Sequence, residues 1–86
     1  MKVLIPSPLF SYTGGEKWVQ AGGATLDEVL RDLDRQYPGI RFRIVDEQDR
    51  TRRHMRFFVR GEPVFDLATP LADVDELVIV QALSGG

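Results

Sequence analysis

The spacing of apolar residues changes along the chain, and each change marks an element boundary. "MKVLI" is an apolar, β-branched run that predicts a first strand, stopped by Pro6 and Pro8, which cannot donate to a central ladder. "SYTGGEKW" reads as a turn in which Gly14 and Gly15 supply positive φ, and "KWVQA" resumes an extended pattern. Residues 1–21 therefore read as a β-hairpin with a wide loop. The glycines between Ala21 and Ala24 make a second break.

Thr25 opens the one clear helix. Glu28 follows three residues later, so "TLDE" fits a capping box, and Asp27 adds favourable charge to the first turn. Leu26, Val29, Leu30, Leu33 and Tyr37 form one stripe of a repeat of about 3.6 residues, with Arg31, Asp32, Asp34 and Arg35 off it. Pro38 and Gly39 end the helix. In "IRFRIV", Ile40, Phe42 and Ile44 alternate with Arg41, Arg43 and Val45, which predicts a short extended or turn segment with one buried face. "DEQDRTRR" is a polar loop. "HMRFFVR" then reads as a strand with Met55, Phe57 and Val59 on one face and His54, Arg56, Phe58 and Arg60 on the other. "GEP" is a turn before the short apolar pair Val64 and Phe65, and a Pro-containing, acidic connection leads to a last strand at about 77–82.

One helix with a single apolar stripe must cover one face of a mixed sheet of about four to five strands. The expected architecture is an α+β two-layer domain, with the two end strands side by side in the centre. Two features resist that frame. If Met55, Phe57 and Val59 point inward, Phe58 points out, and in the last strand Val78 and Val80 alternate with Leu77 and Ile79 so that both faces are apolar. A single helix covers one face only, so Phe58, Val78 and Val80 form a candidate partner-docking surface. The bland alternative is scattered surface hydrophobes, which are common.

Composition narrows the chemistry. At 86 residues, 43% hydrophobic and 28% charged, the chain is one globular unit without room for a separate catalytic domain. A net charge of −2 gives no drive toward nucleic acid or membrane, and no apolar run approaches the roughly 20 residues of a membrane span, so the expected location is the cytosol. There is no cysteine, and a lone His54 cannot build a zinc site. His54 has no identifiable catalytic partner. "DVDE" (Asp73, Asp75, Glu76) lacks the full oxygen pattern of a calcium loop, and "YTGGEK" lacks the spacing of a phosphate-binding loop. Seven of the eleven basic residues lie between Arg41 and Arg60, but Asp46, Glu47 and Asp49 interrupt them, which favours a solvated loop over an RNA surface.

The chain ends "QALSGG" directly after its most apolar strand. Without Cβ atoms, Gly85 and Gly86 can enter a narrow channel in extended form and deliver the terminal carboxylate to a buried site in another protein. The helix opening "ATLDEVLRDL", the turn "RGEPV", the approach "PLADVDELVIV" and the terminal "SGG" together resemble the ThiS/MoaD family of ubiquitin-like sulfur carriers, over essentially the whole chain. "TGGEKWV" and the long loop at 46–53 are most similar to the carriers of bacterial cysteine biosynthesis and to MoaD-like proteins. Before the tail stands "VQALS", where many molybdopterin-type members carry a proline pair.

The resemblance implies a β-grasp fold, one domain over residues 1–86 with a flexible tail at about 83–86, and a protein cosubstrate rather than an enzyme. An E1-like enzyme, using ATP and magnesium that the carrier itself does not bind, would adenylate the Gly86 carboxylate. A sulfur donor would then displace AMP to leave a thiocarboxylate for a sulfur-accepting biosynthetic enzyme, making cysteine, molybdopterin or another sulfur metabolite. Gly86 carries the chemistry, Gly85 supplies slenderness, and Ser84 and Leu83 join the tail to the domain. Two alternatives stay open: a ubiquitin-like modifier that forms an isopeptide bond through Gly86, and a β-grasp binding module whose Gly-Gly end is incidental.

Overall fold

The computed structural model describes residues 1–82; the tail residues Leu83, Ser84, Gly85 and Gly86 lie outside them. The described chain runs β1 (Lys2–Leu4), a 3-10 turn (Ser7–Tyr12), β2 (Trp18–Gln20), α1 (Leu26–Gln36), α2 (Ile40–Ile44), β3 (Met55–Val59), β4 (Glu62–Val64) and β5 (Glu76–Gln81). The strands form one mixed sheet in the order β2-β1-β5-β3-β4. β1 pairs antiparallel with β2 and parallel with β5, and β3 pairs antiparallel with both β5 and β4. The two end strands do meet in the centre. This is the β-grasp arrangement, with the main helix against one face of the sheet.

α1 forms where the sequence says it should. The Glu28 N–H donates to Thr25 Oγ1 at 3.2 Å, while the Glu28 carboxylate reaches back to the Ala24 N–H at 3.0 Å, one residue beyond the usual capping-box partner. The next free donors, Leu26 and Asp27 N–H, bond the carbonyls of Thr69 and Leu67, so the loop before β5 completes the helix start. Leu26, Val29, Leu30 and Leu33 are fully buried and meet Val3, Phe57, Leu77 and Ile79 of the sheet in one core. Each such side chain contributes about 1.5–3 kcal/mol of apolar transfer free energy.

The segment at 40–45 departs from the extended reading: Ile40–Ile44 is a short helix. Gly39 takes φ 97° to turn the chain, and one oxygen of Asp34 accepts from the N–H groups of both Gly39 and Arg41, at 3.1 Å each. Ile40 and Ile44 are then one helical turn apart and buried, whereas Phe42 projects outward, 54% exposed, with the Arg52 guanidinium stacked on its ring. "GEP" also differs from a plain turn. The tight turn is Arg60-Gly61, both at positive φ as a primed hairpin turn requires, and Glu62 and Pro63 already belong to β4. Proline fits there because β4 is an edge strand.

The arginine-rich stretch is partly structural. Arg41, only 15% exposed, donates to Asp27 at 2.8 Å and to Asp49 at 3.1 Å, tying the start of α1 to the polar loop. Partial burial pushes the Asp27 carboxyl up, but Arg31 and Arg41 beside it outweigh this and hold it below its ordinary value. Asp46 closes the loop by accepting from the Gln48 and Arg50 N–H groups, which together with nearby arginines lowers its pKa as well.

Candidate functional site

Alternation places Leu77 and Ile79 of β5 in the core and Val78 and Val80 on the opposite face. On β3 the same rule buries Met55 and Phe57 and turns Arg56 and Phe58 outward. Register then makes Phe58 the direct neighbour of Val78, and Arg56 that of Val80. Phe58 and Val78 are half-buried, and Val80 is 38% exposed. The three residues singled out from the sequence therefore share one face, the one away from α1.

That face is larger than the sequence reading indicated. Leu4 of β1 lies opposite Val78, Trp18 of β2 lies opposite Leu4, and Pro63 of β4 lies opposite Phe58. Trp18, Leu4, Val78, Phe58 and Pro63 thus form a continuous apolar row across all five strands. Trp18 is 39% exposed, with the Lys2 ammonium 5.0 Å from its ring centroid. Leu4 and Trp18 alternate with the buried Val3 and Val19, so the same period-2 test, applied to the first hairpin, would have found them.

The end of β5 sets where the tail leaves. The Ala82 N–H donates to the His54 carbonyl at 2.7 Å, extending the β3–β5 ladder to the last described residue. Beside this exit lies a shallow apolar groove lined by Pro6, Pro8, Phe10, Lys17, Val80 and Gln81. The chemistry at Gly86 and the roles of Gly85, Ser84 and Leu83 fall outside the described residues.

The other candidates stay bland. His54 contributes a backbone carbonyl, and Asp73, Asp75 and Glu76 are exposed around the start of β5. Gly14 and Gly15, at φ 64° and 89°, close the turn after the 3-10 segment. Among the described residues no group of three or more His, Asp or Glu side chains is placed to hold a metal ion, and no helix is long and apolar enough to cross a membrane.

Known proteins share this architecture along its full length. The sulfur carrier protein CysO of Mycobacterium tuberculosis is 39% identical over 89 residues, spanning 98% of this chain and 96% of that protein. The fold superposes on the CysO-like chain in the BexX/CysO complex of Amycolatopsis orientalis with a TM-score of 0.89, at 38% identity over 99% of this chain and 98% of that one. SAMP1 from Haloferax volcanii superposes with a TM-score of 0.77 at 25% identity, covering 100% of this chain and 98% of that one. The ThiS family matches residues 3–86, which takes the likeness through the diglycine end. A β-grasp sheet whose central strand leads to Gly85-Gly86, shared in sequence with sulfur carriers over the whole chain, places the protein: it belongs to the ThiS family of ubiquitin-like sulfur carriers.

Proposed function

We propose that Gly86 is the sulfur-carrying residue and that the face bearing Phe58, Val78 and Val80 docks the enzymes that act on it. A free carboxylate is a poor electrophile. An E1-like partner, supplying ATP and magnesium, converts it to a mixed anhydride with AMP, and a sulfur nucleophile attacks the Gly86 carbonyl and expels AMP. The product is a thiocarboxylate, a soft nucleophile that an acceptor enzyme can use without free sulfide being released. The carrier lends geometry rather than catalysis; fixed charges and metal in the partner stabilise the transferring groups.

The observation that carries this reading is the position of β5. It is the middle strand, held on both sides, and it ends next to an apolar face that no helix covers among the described residues. A partner that covers Val78 and Phe58 is thereby set at a fixed distance from the start of the tail. BexX, seen in complex with the related Amycolatopsis CysO, is a partner this surface is expected to accept.

The test is intact-protein mass spectrometry after incubation with the E1-like enzyme, ATP, magnesium and a sulfur donor. The wild-type chain is expected to gain the oxygen-to-sulfur mass difference at its C-terminus, and a chain lacking Gly86 is expected to stay unchanged while remaining folded. Equal sulfur loading of the truncated chain would overturn the assignment. Isopeptide conjugation shares the adenylation step, and the same spectra separate it by the mass of the attached protein.

A further inference from the structure

The apolar row on the outer face holds five side chains, whereas a specific protein interface draws on roughly 20–30 residues from each partner. Whatever covers the row must therefore reach past it. Toward the start of β3 it next meets Arg56, which shares the outer face with Phe58, lies opposite Val80 and is exposed.

β4 pairs with β3 only along Phe57–Val59, so the start of β3 runs on beyond the end of β4. A groove of about 230 Å³ opens there, lined by Arg52, Arg53, Arg56, Val64 and Phe65. Phe65 is 77% exposed, the most of any large hydrophobic side chain among the described residues. The charges of the groove are unanswered. Arg31, Arg35 and Arg41 each pair with an aspartate, but none of Arg52, Arg53 and Arg56 forms an ion pair among the described residues. Arg52 is engaged locally, its Nε donating to the Phe42 carbonyl at 2.7 Å and its guanidinium stacked on the Phe42 ring. Arg56 donates through Nη1 to the carbonyls of Met55 and Arg53, which orients its guanidinium and leaves the other nitrogens for a ligand. Arg53 is exposed. The nearest acid in the sequence, Asp66, turns its carboxylate back to the Ala68 N–H at 2.8 Å.

We propose that this groove receives an acidic segment of the activating enzyme, with carboxylates on Arg53 and Arg56 and an apolar side chain against Phe65 and Val64. A guanidinium stays charged at any working pH and takes a carboxylate in a two-bond fork, so the match is one of shape as well as charge. Arg53 immediately precedes His54, whose carbonyl holds the Ala82 N–H where the tail leaves. Apolar contacts across the row are non-directional, and the two arginines at its tail-exit end set which way round the domain sits on the enzyme.

The proposal rests on the outer face being the docking surface, and the variants separate the two. The enzyme-free probe is a short synthetic peptide alternating glutamate and leucine, titrated into the labelled full chain at low salt and followed by amide NMR. Saturable shifts are expected at 51–56 and 64–66, with the affinity lowered at least about tenfold by Arg53→Glu, and a peptide alternating lysine and leucine is expected to leave those amides unmoved. In sulfur loading by the activating enzyme, Arg53→Glu is expected to raise KM at least about tenfold at low salt, far less in about 0.5 M salt, and to keep the rate at saturating carrier. Phe65→Ser is expected to raise KM about threefold at either salt. Arg43→Glu makes the same charge change on α2, away from the groove, and is expected to behave like wild type. Peptide shifts that are absent or lie elsewhere, or a KM for Arg53→Glu no higher than for Arg43→Glu, overturn the proposal. Loss of loading in Phe58→Asp alongside either result would leave the docking face intact. Tighter binding of a single-stranded RNA than of the acidic peptide, lost in Arg53→Glu while KM is unmoved, would give the groove to nucleic acid instead.

Discussion

Gly23 lies under the first turn of α1, where an added Cβ would be 2.7 Å from both the Glu28 Cβ and the Val29 nitrogen. Those atoms belong to the helix backbone and its immediate branch, so they cannot swing aside. Gly23→Ala is expected to cost about 1–3 kcal/mol by overpacking, read as a lower urea midpoint with little change in slope. Gly22, with nothing within 4 Å of a Cβ, serves as the control and is expected to tolerate alanine in the same assay. From the sequence the pair reads only as a break between elements. The break is there, but the reason for one of its glycines is a close approach of chain segments distant from any local pattern. Trp18 shows the same limit: its alternation with Val19 is visible, yet its place in the apolar row depends on which strand sits beside β1.

At the scale of elements, local signals carried α1 because several agree: a cap, first-turn acids, a stripe and a Pro-Gly stop. α2 was not legible because five residues are too few to separate two periods. Ile40 and Ile44 fit both an alternating strand and one helical turn; the bonds from Asp34 to Gly39 and Arg41 decide between them. The junction of these helices depends on charge. Asp27 is held below its ordinary value of 3.8, so its contribution is fully present at neutral pH and is lost as pH falls below about 3.8 through the folded-state value. Asp27→Asn is expected to cost about 1 kcal/mol at pH 7, measured by urea unfolding. It is also expected to flatten the loss of stability below about pH 4 relative to wild type; an unchanged acid limb would remove Asp27 from that transition.

For the whole molecule, one face of the sheet packs on the helices and the other is left with an apolar row. Phe58→Asp breaks that row next to its central residue, Val78, without touching the core. Its cost in stability is expected to be at most about 1 kcal/mol, that of a cross-strand pair, while sulfur loading of the chain by its activating enzyme, read by intact-protein mass spectrometry at limiting enzyme, falls at least about tenfold. Retained loading would move the docking surface elsewhere. The architecture and the central place of the last strand were legible because alternating strands and a single-striped helix leave few ways to pack. The breadth of the face was not, since it is the product of register among strands distant in sequence.

The central position of β5 has a mechanical consequence. A partner that grips the diglycine and draws it into a channel pulls along the axis of a strand bonded to β1 on one side and β3 on the other. Ladder bonds lie across that axis, so the load falls on both ladders in shear and is shared by many bonds rather than opening them one by one. Tension on the handle therefore reaches the middle of the sheet, and the domain can be towed by its last residues without unravelling from the end.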